Sequence, residues 1–340
     1  MISEQSKGTG KHKSLFAGAV ITLTGAGLWG LNAVVSKYLM ARGIDAMWMV
    51  NFRMITSGLV LLIVAAVRNP RGLTDIWKDR RSAVRLLIIA VLAFGLCQLT
   101  YYMSIRYSNA GIAAAIQQTA PVFVLLYVMF AERRRPYPAE LVSLPLVIFG
   151  SFLIATHGDL HALAIDPRAL AAGLISALCC ALYITMPAGL IRRYGTTETV
   201  GWGLFLGGCF LAPFCRLWDF PETMDAAIIG GLAFIILPGA AIAFALYLYG
   251  TSIVGPVHGG VYNLFEPVVA VVASAALLGQ SCHFTEILGI ICILTGIAIL
   301  TVTKGRTGKT TDLNVQINAG HGVRASENKK KKYKNKGRVN

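Results

Sequence analysis

Residues 226–250, AAIIGGLAFIILPGAAIAFALYLYG, form a stretch of 25 residues without a charged side chain. An α-helix needs about 20 mostly apolar residues to cross the roughly 30 Å hydrocarbon layer of a membrane. A membrane-spanning β-strand is about 10 residues long and alternates in polarity, which this stretch does not do. We therefore predict a transmembrane helix here.

Nine further stretches have a similar length and character. They are 15–40, 47–67, 84–107, 111–131, 139–156, 168–191, 199–217, 257–279 and 284–303. Of the 340 residues, 55% are apolar and only 14% are charged, whereas a soluble protein carries roughly 25% charged residues. This composition excludes an ordinary soluble enzyme, because too few charges remain to cover a water-facing surface. The predicted fold class is an all-α polytopic membrane protein with ten transmembrane helices.

A spacing of 146 residues relates the two halves of the chain. The landmarks that recur at this spacing are Pro121/Pro267, Val122/Val268, Glu140/Glu286, Gly150/Gly296 and the amide pair Gln117/Asn263. Each half contains five predicted helices, and this odd number inserts the second half into the membrane upside down. Inverted repeats are the architecture of many secondary transporters. We therefore predict two inverted five-helix repeats.

The repeats define the domain organisation. The first repeat occupies residues 15–156 and the second occupies residues 168–303. A basic N-terminal segment, 1–14, precedes them, and a polybasic tail, 304–340, follows them. The run of like charges predicts that the tail is disordered. Basic residues near a membrane surface attract anionic lipid by about 1 kcal/mol each, so membrane lipid is a predicted partner.

Basic residues also predict the orientation, because Lys and Arg are enriched in the cytoplasmic loops of membrane proteins. If the N-terminus is cytoplasmic, 14 basic residues outside the tail lie inside and only four lie outside. The outer four are Arg42, Arg106, Arg168 and Arg216. We expect a multi-pass protein of the inner (plasma) membrane with both termini in the cytoplasm.

Four stretches of the membrane body carry recognisable motifs. They are WGLNAVVSKYLM (29–40), NFRMITSGL (51–59), YYMSIRYSNAGIAAAIQQTAPVFVLLYVMFAERRRP (101–136) and LFEPVVAVVASAALLGQ (264–280). Together they resemble the EamA family of the drug/metabolite transporter superfamily, over roughly residues 15–303. This resemblance implies a ten-helix carrier made of two five-helix halves that exports amino acids, other metabolites or drugs.

Polar residues inside the predicted helices mark the candidate site. An ionisable group costs about 2.5–3.5 kcal/mol at mid-depth in a membrane and usually faces a cavity. In the ninth span, His258, Tyr262 and Glu266 recur every four residues, and Asn263 lies on the same side of a continuous helix. The other predicted substrate-binding residues are Trp29, Asn32, Lys37, Arg53, Gln98, Tyr102 and Gln117. We expect all of them to line one central cavity that binds a small polar substrate.

Each role has a structural alternative. Glu266, near the midplane, is the candidate proton-coupling residue, but it would equally suit a fixed ion pair with a buried cation. Lys37 and Arg53 would attract a substrate carboxylate or extend to the outer interface. Amide side chains would orient substrate or simply link helices. Tyr101 and Tyr102 would also suit the aromatic belt at the membrane interface.

No cofactor, metal or nucleic-acid partner is predicted. GAGLWG (25–30) has the letters of a dinucleotide motif but lies in an apolar span without a preceding strand. GRTGKT (305–310) lacks the first glycine of a phosphate-binding loop, because residue 303 is threonine. His157 and His161 flank Asp159, but too few further ligands are nearby for a zinc site. The basic tail lacks the interleaved aromatic residues that stack on bases.

The sequence therefore predicts a secondary transporter, and no enzyme. It would export a small amphipathic metabolite, such as an amino acid or drug-like compound, by alternating access. A nucleotide-sugar or sugar-phosphate exchanger of the same superfamily is one alternative, which would need more cations than Lys37 and Arg53. A membrane receptor or membrane-embedded enzyme is another. The GxxxG spacings Gly203/Gly207 and Gly255/Gly259 suit close helix packing, and Gly289/Gly296 would pack within the subunit or form the face of a homodimer.

Overall fold

A computed structural model of the chain describes residues 2–68, 70–108, 110–156, 166–221, 224–279 and 283–302. Within these ranges ten helices are long and apolar enough to cross a membrane, as predicted. Spans 1 to 10 are Leu15–Ala41, Ala46–Arg68, Arg80–Tyr107, Ile112–Glu132, Pro138–Thr156, Pro167–Tyr194, Thr196–Cys215, Ala226–Val254, Pro256–Leu277 and Phe284–Val302. The helix of span 1 begins at Ile2, and a short helix, Pro70–Lys78, precedes span 3. The predictions for the tail 304–340 and for His157, Asp159 and His161 concern residues outside these ranges.

Spans 4 and 9 are each interrupted at the same point of the repeat. Span 4 consists of helices Ala110–Gln117 and Ala120–Glu132, and span 9 consists of Pro256–Asn263 and Phe265–Leu278. Pro121 and Pro267 lie in the first turns of the second segments. A proline ring clashes with the carbonyl four residues earlier and lacks an N–H, so it breaks a continuing helix there. The carbonyls concerned belong to Gln117 and Asn263.

Spans 3 and 8 each contain a wider, π-helical stretch at matching positions. Span 3 consists of Arg80–Ile88, the π-helix Ile89–Leu96 and Cys97–Tyr107, and span 8 consists of Ala226–Ile236, the π-helix Leu237–Ile242 and Ala243–Val254. Backbone groups released by such stretches need other partners. Ser57 donates a hydrogen bond to the Ile236 carbonyl at 3.0 Å, and Ser176 donates to the Cys97 carbonyl at 2.9 Å.

The two halves pack through pairs of spans that an inverted repeat relates to each other. Span 1 packs on spans 8 and 9, and the equivalent span 6 packs on spans 3 and 4. Span 2 packs on span 7, and span 4 packs on span 9. In each of these two pairs, the partners are each other's equivalents in the repeat. These equivalent contacts confirm the two inverted five-helix repeats.

Spans 5 and 10 are also equivalents of each other in the repeat, and they pack together at glycine residues. A Cβ atom added to Gly150 would lie 2.6 Å from the Gly289 carbonyl oxygen, and one added to Gly289 would lie 2.5 Å from that of Gly150. Gly296 packs in the same way against Val147 and Ser143. The Gly289/Gly296 spacing is therefore used for packing within the chain, which was one of its two predicted uses.

The connections between spans lie at two opposite faces. We call the face that carries 41–46 and 215–226 the Asp225 face, and the face that carries 68–80 and 194–196 the Asp79 face. Two equivalent glutamates cap helices at opposite faces. Glu140 accepts a hydrogen bond from the Tyr137 backbone N–H at 2.9 Å, and Glu286 accepts one from the His283 backbone N–H at 2.8 Å. The predicted 146-residue spacing thus extends to these capping contacts.

Candidate functional site

Glu266 and Arg53 carry opposite charges close to the middle of the helix bundle. Glu266 begins the second segment of span 9, about 15 Å of helix from either end of that span. Arg53 of span 2 attracts it electrostatically, yet in the described part of the chain no nitrogen of Arg53 lies within 4 Å of a Glu266 oxygen. The Nε atom of Arg53 is buried without a hydrogen-bond partner among the described residues. The two charges therefore face each other without direct contact.

Both halves of the chain supply the surroundings of Glu266. Its charge lies within electrostatic range of Tyr101 in span 3, Cys180 in span 6 and Tyr247 in span 8. Gly30 of span 1 lets the helices approach closely, because a Cβ atom there would lie 2.6 Å from the Glu266 carbonyl oxygen. Span 1 thus packs directly on the backbone at Glu266, and spans 2, 3, 6 and 8 carry groups within electrostatic range of its carboxylate.

An aromatic cluster lies beside this charged pair. The Trp29 ring is 4.7 Å from those of Phe244 and Tyr247 and 6.3 Å from that of Tyr183. Phe94 packs against Phe244 at 5.4 Å between ring centroids. Aromatic pairs at such distances contribute about 0.5–1.5 kcal/mol beyond the apolar area that they bury. The cluster gives the site a rigid apolar wall.

The two amides before the helix interruptions bind span 6. Gln117 donates a hydrogen bond from Nε2 to Ser176 Oγ at 2.7 Å. Asn263 accepts one from the Tyr183 hydroxyl at 3.4 Å. Since both partners lie on span 6, these repeat-equivalent residues converge on one helix. These hydrogen bonds are consistent with both predicted roles of the amides, which are linking helices and orienting a substrate.

The expected single face of span 9 does not form. We expected His258, Tyr262 and Glu266 on one side of a continuous helix, but the interruption at Leu264 ends that periodicity. The Tyr262 hydroxyl instead lies 2.9 Å from Thr301 Oγ1 of span 10, within hydrogen-bonding distance. His258 stacks edge-on against Tyr262 at 6.1 Å. Tyr262 thus contacts span 10, whereas Glu266 interacts electrostatically with Arg53 of span 2.

The remaining predicted residues are spread over three environments. Asn32 is buried against Gly239 in the π-helical stretch of span 8. Lys37 is exposed near the end of span 1 at the Asp225 face, which matches the alternative of an interfacial lysine. Tyr102 lines a cavity at the same face. Gln98 is partly buried and makes no side-chain hydrogen bond within the described ranges.

Sequence reasoning missed several members of the site. Tyr101 and Tyr247, both near Glu266, are exactly one repeat apart, so the 146-residue spacing could have found them. Cys180 and Tyr183 gave no such signal, because cysteine and tyrosine in an apolar run are ordinary core residues. No group of three His, Cys, Asp or Glu residues that could hold a metal ion occurs in the portion of the chain that the structure describes.

An ion pair joins the two halves at the Asp79 face. Asp79 caps span 3 and accepts a hydrogen bond from Arg193 of span 6 at 2.6 Å. The Ser82 hydroxyl also donates to Asp79, at 2.8 Å. This hydroxyl is the main cause of a lowered pKa of Asp79, and Arg193 adds to the effect.

A second ion pair joins the halves at the opposite face, at the equivalent place. Asp225, 146 residues after Asp79, caps span 8 and pairs with Arg42 at the end of span 1. The Ile228 backbone N–H is the main cause of a lowered pKa of Asp225, and Arg42 adds to it. Both aspartates therefore stay ionised above about pH 4, near the ordinary carboxyl value.

A comparison with known families settles the relationship of the chain. The pattern of the EamA-like transporter family matches residues 16–156 and again residues 167–302. The chain belongs to the EamA-like transporter family. Both matches fall on the two structural repeats, which confirms the resemblance inferred from the sequence motifs.

Relatives of this EamA-like chain agree with the assignment. The "Uncharacterized inner membrane transporter YicL" of Salmonella typhimurium is 29% identical over 293 residues, covering 86% of this chain and 97% of that protein. The "Uncharacterized inner membrane transporter YedA" of Escherichia coli K12 is 24% identical, covering 82% and 88%. A solved crystal structure with 15% identity has a TM-score of 0.72, covers 85% of this chain and 98% of its own, and supports the fold. The ten spans and these relatives indicate a multi-pass inner-membrane protein.

Proposed function

We propose that this EamA-like chain is a secondary transporter that exports a small amphipathic metabolite, such as a zwitterionic amino acid. The observation that carries the proposal is the partly buried pair Arg53 and Glu266, whose charges attract but do not touch. Burying charges is costly unless they are paired and hydrogen-bonded. A zwitterion placed between them would satisfy both, with its carboxylate on Arg53 and its ammonium on Glu266.

The aromatic cluster suits the apolar part of such a substrate. Trp29 and Tyr247 present ring surface from the two halves of the chain, beside the charged pair. Binding sites for small molecules typically combine apolar walls with a few polar groups that fix the orientation. Selectivity for an amphipathic molecule would follow from this combination.

Alternating access would use the two equivalent ion pairs. Asp79–Arg193 and Asp225–Arg42 each bridge the halves, one at each face. Opening a face requires its ion pair to separate, and the inverted repeat makes the two openings equivalent. The site near mid-depth would then be exposed to one side at a time, as in other inverted-repeat transporters.

Proton coupling would reside in Glu266. A carboxyl group that accepts a proton can release an ammonium group, and Glu266 occupies the mid-depth position that both sides would share. The termini would lie in the cytoplasm, on the Asp79 side, as the distribution of basic residues predicts. Export is then movement from the Asp79 face to the Asp225 face.

A sugar-phosphate or nucleotide-sugar exchanger is less well supported. Phosphate groups are typically held by clustered arginines and lysines. Of the two candidate cations, Arg53 is at the charged pair whereas Lys37 is exposed near the end of span 1. A receptor or membrane-embedded enzyme has no specific observation in its favour, and the curated relatives are named as transporters.

The direct experiment combines secretion with reconstituted exchange. Cells that overproduce the chain are compared with empty-vector cells for secreted small molecules, and the enriched compounds are tested for counterflow in proteoliposomes. We expect saturable exchange that Arg53→Gln and Glu266→Gln lower by about 10- to 100-fold and that Lys37→Gln retains. Absence of saturable flux with every enriched compound would contradict a transport function.

A further inference from the structure

A cavity of about 580 Å³ opens at the Asp225 face between spans 2, 3 and 7. We call it the vestibule, and its lining residues are Asp45, Met47, Trp48, Leu99, Tyr102, Met103, Arg106, Phe214, Cys215, Arg216 and Asp219. Its volume lies within the range of about 300–1,000 Å³ that is typical of small-molecule sites. The charged lining residues are exposed and form its rim, whereas Met47, Trp48 and Cys215 are buried deeper in the wall. The vestibule therefore suits an amphipathic ligand.

The arginines of this face divide into two groups. Arg42 pairs with Asp225, and Arg168 pairs with Asp166 at 2.8 Å. Arg106 and Arg216 are exposed and have no side-chain partner within the described residues, and both line the vestibule. Two guanidinium groups at one rim are suited to a carboxylate, which arginine binds through paired N–H donors.

The opposite charge is available at the same rim. Asp45 already accepts a hydrogen bond from the Trp48 backbone N–H at 2.7 Å, which fixes the start of span 2. Asp219 is exposed and has no side-chain partner in the described part of the chain, so it can receive an ammonium group. The rim therefore offers separate sites for both ends of a zwitterion.

The vestibule adjoins the central site. Tyr102 lines the vestibule, while its neighbour Tyr101 lies near Glu266. On span 2, Met47 lines the vestibule and Arg53 lies six residues further along, about 9 Å along the helix. A molecule that leaves the charged pair toward this face would pass through the vestibule.

We propose that the vestibule is a second binding site, in which Arg106 and Arg216 hold the carboxylate of an amphipathic zwitterion and Asp219 receives its ammonium group. This inference rests on the proposed function, because it places the site on the exit path of the exported molecule. Any ligand of the vestibule would need an anionic group joined to an apolar body. A phospholipid headgroup also offers an anionic group, and the experiment separates these two sources.

Photolabelling with 4-azidophenylalanine tests the proposal without requiring transport. The full chain in neutral-lipid nanodiscs is irradiated with this zwitterion or with 2-(4-azidophenyl)ethylamine, which lacks the carboxylate, and labelled peptides are mapped by mass spectrometry. We expect carboxylate-dependent labelling of residues 99–106 and 214–219. The Arg106→Gln/Arg216→Gln variant should reduce it at least about tenfold, because losing even one of the two charge-assisted hydrogen bonds has an effect of that size.

Two controls make the result specific. Arg168→Gln removes a paired arginine from the same face, and Glu266→Gln alters the central site, so both should keep vestibule labelling. Equal labelling by the ethylamine probe, or labelling that persists in the double variant, would overturn the proposal. Labelling that disappears when phosphatidylglycerol is added would assign the vestibule to lipid and also overturn it. Vestibule labelling without any transport would refute only the proposed function.

Discussion

At the residue scale, the proposed function depends on two opposite charges held apart inside a membrane protein. Arg53 and Glu266 come from different halves of the chain, and neither has a direct ionic partner among the described residues. A fixed structural ion pair would instead be expected to close to hydrogen-bonding distance, because that contact repays part of the cost of burial. The separation of Arg53 and Glu266 is therefore the observation that favours the proposed substrate site over a structural ion pair.

Neutralising either charge should slow transport strongly without unfolding the protein. We expect Glu266→Gln and Arg53→Gln to lower exchange by about 10- to 100-fold, since each removes a charge-assisted hydrogen bond to substrate worth about 1.5–3 kcal/mol. The measurement is the initial rate of counterflow in proteoliposomes, with Lys37→Gln as the control. Normal rates in both variants, with folded protein shown by gel filtration, would contradict the assignment of the site.

Tyr101 and Tyr102 provide a matched pair of neighbours. Tyr101 lies within electrostatic range of Glu266, and Tyr102 lines the vestibule. Tyr101→Phe and its repeat equivalent Tyr247→Phe should therefore change the half-saturating substrate concentration measured from both faces. Tyr102→Phe should change it from the Asp225 face alone. An equal effect of all three variants at both faces would show that the hydroxyls act only through packing.

Residue-level prediction from the sequence relied on local chemistry. The cost of a charge in the membrane singled out Glu266 and Arg53 as candidates. Tyr262 was placed incorrectly on the face of Glu266, because helical periodicity assumes a continuous helix and Leu264 interrupts it. The proline at 267 was the available signal for that interruption.

At the element scale, breaks in the regular α-helix occur at equivalent positions in the two halves of the chain. The interruptions of spans 4 and 9 and the π-helical stretches of spans 3 and 8 recur at matching positions. The sequence predicted the repeat from prolines and a few landmarks. It did not predict the π-helical stretches, because they depend on partners such as Ser57 from another span.

The ion pairs at the two faces should have opposite effects on access to the vestibule. Asp225→Asn weakens the pair beside it and should raise the rate at which maleimide labels a Tyr102→Cys variant severalfold. Asp79→Asn weakens the pair at the far face and should lower that rate. Because both aspartates have a lowered pKa, neither ion pair should change as pH varies between 5 and 8. Equal labelling rates in the two variants would refute their role in access.

Glycine packing between spans 5 and 10 can be tested by thermal unfolding. In Gly150→Ala, the added methyl group meets the Gly289 carbonyl oxygen at 2.6 Å, so the backbones must separate. Such overpacking costs about 1–3 kcal/mol, and the melting temperature should fall. Gly230→Ala is the control, since a Cβ atom there meets nothing within 4 Å. It should be neutral or stabilising, because alanine favours helix.

At the scale of the whole molecule, two inverted halves surround the candidate site, and in the described part of the chain an ion pair joins them at each face. Composition and hydropathy were sufficient to predict the ten spans, because crossing a membrane imposes a length and polarity that few soluble segments satisfy. The packing of one half on the other was not predictable from the sequence, since it depends on contacts between spans far apart in the chain. Span 2 on span 7 is an example.

Paired distance measurements test alternating access most directly. Spin labels at positions 81 and 192 report on the Asp79 face, and labels at 43 and 227 report on the Asp225 face, each pair in a cysteine-depleted chain in nanodiscs. When a transported compound is added, we expect one distance to lengthen as the other shortens, and Glu266→Gln to suppress both changes. Distances that change together, or that ignore a compound shown to exchange, would contradict two halves alternating about a shared site.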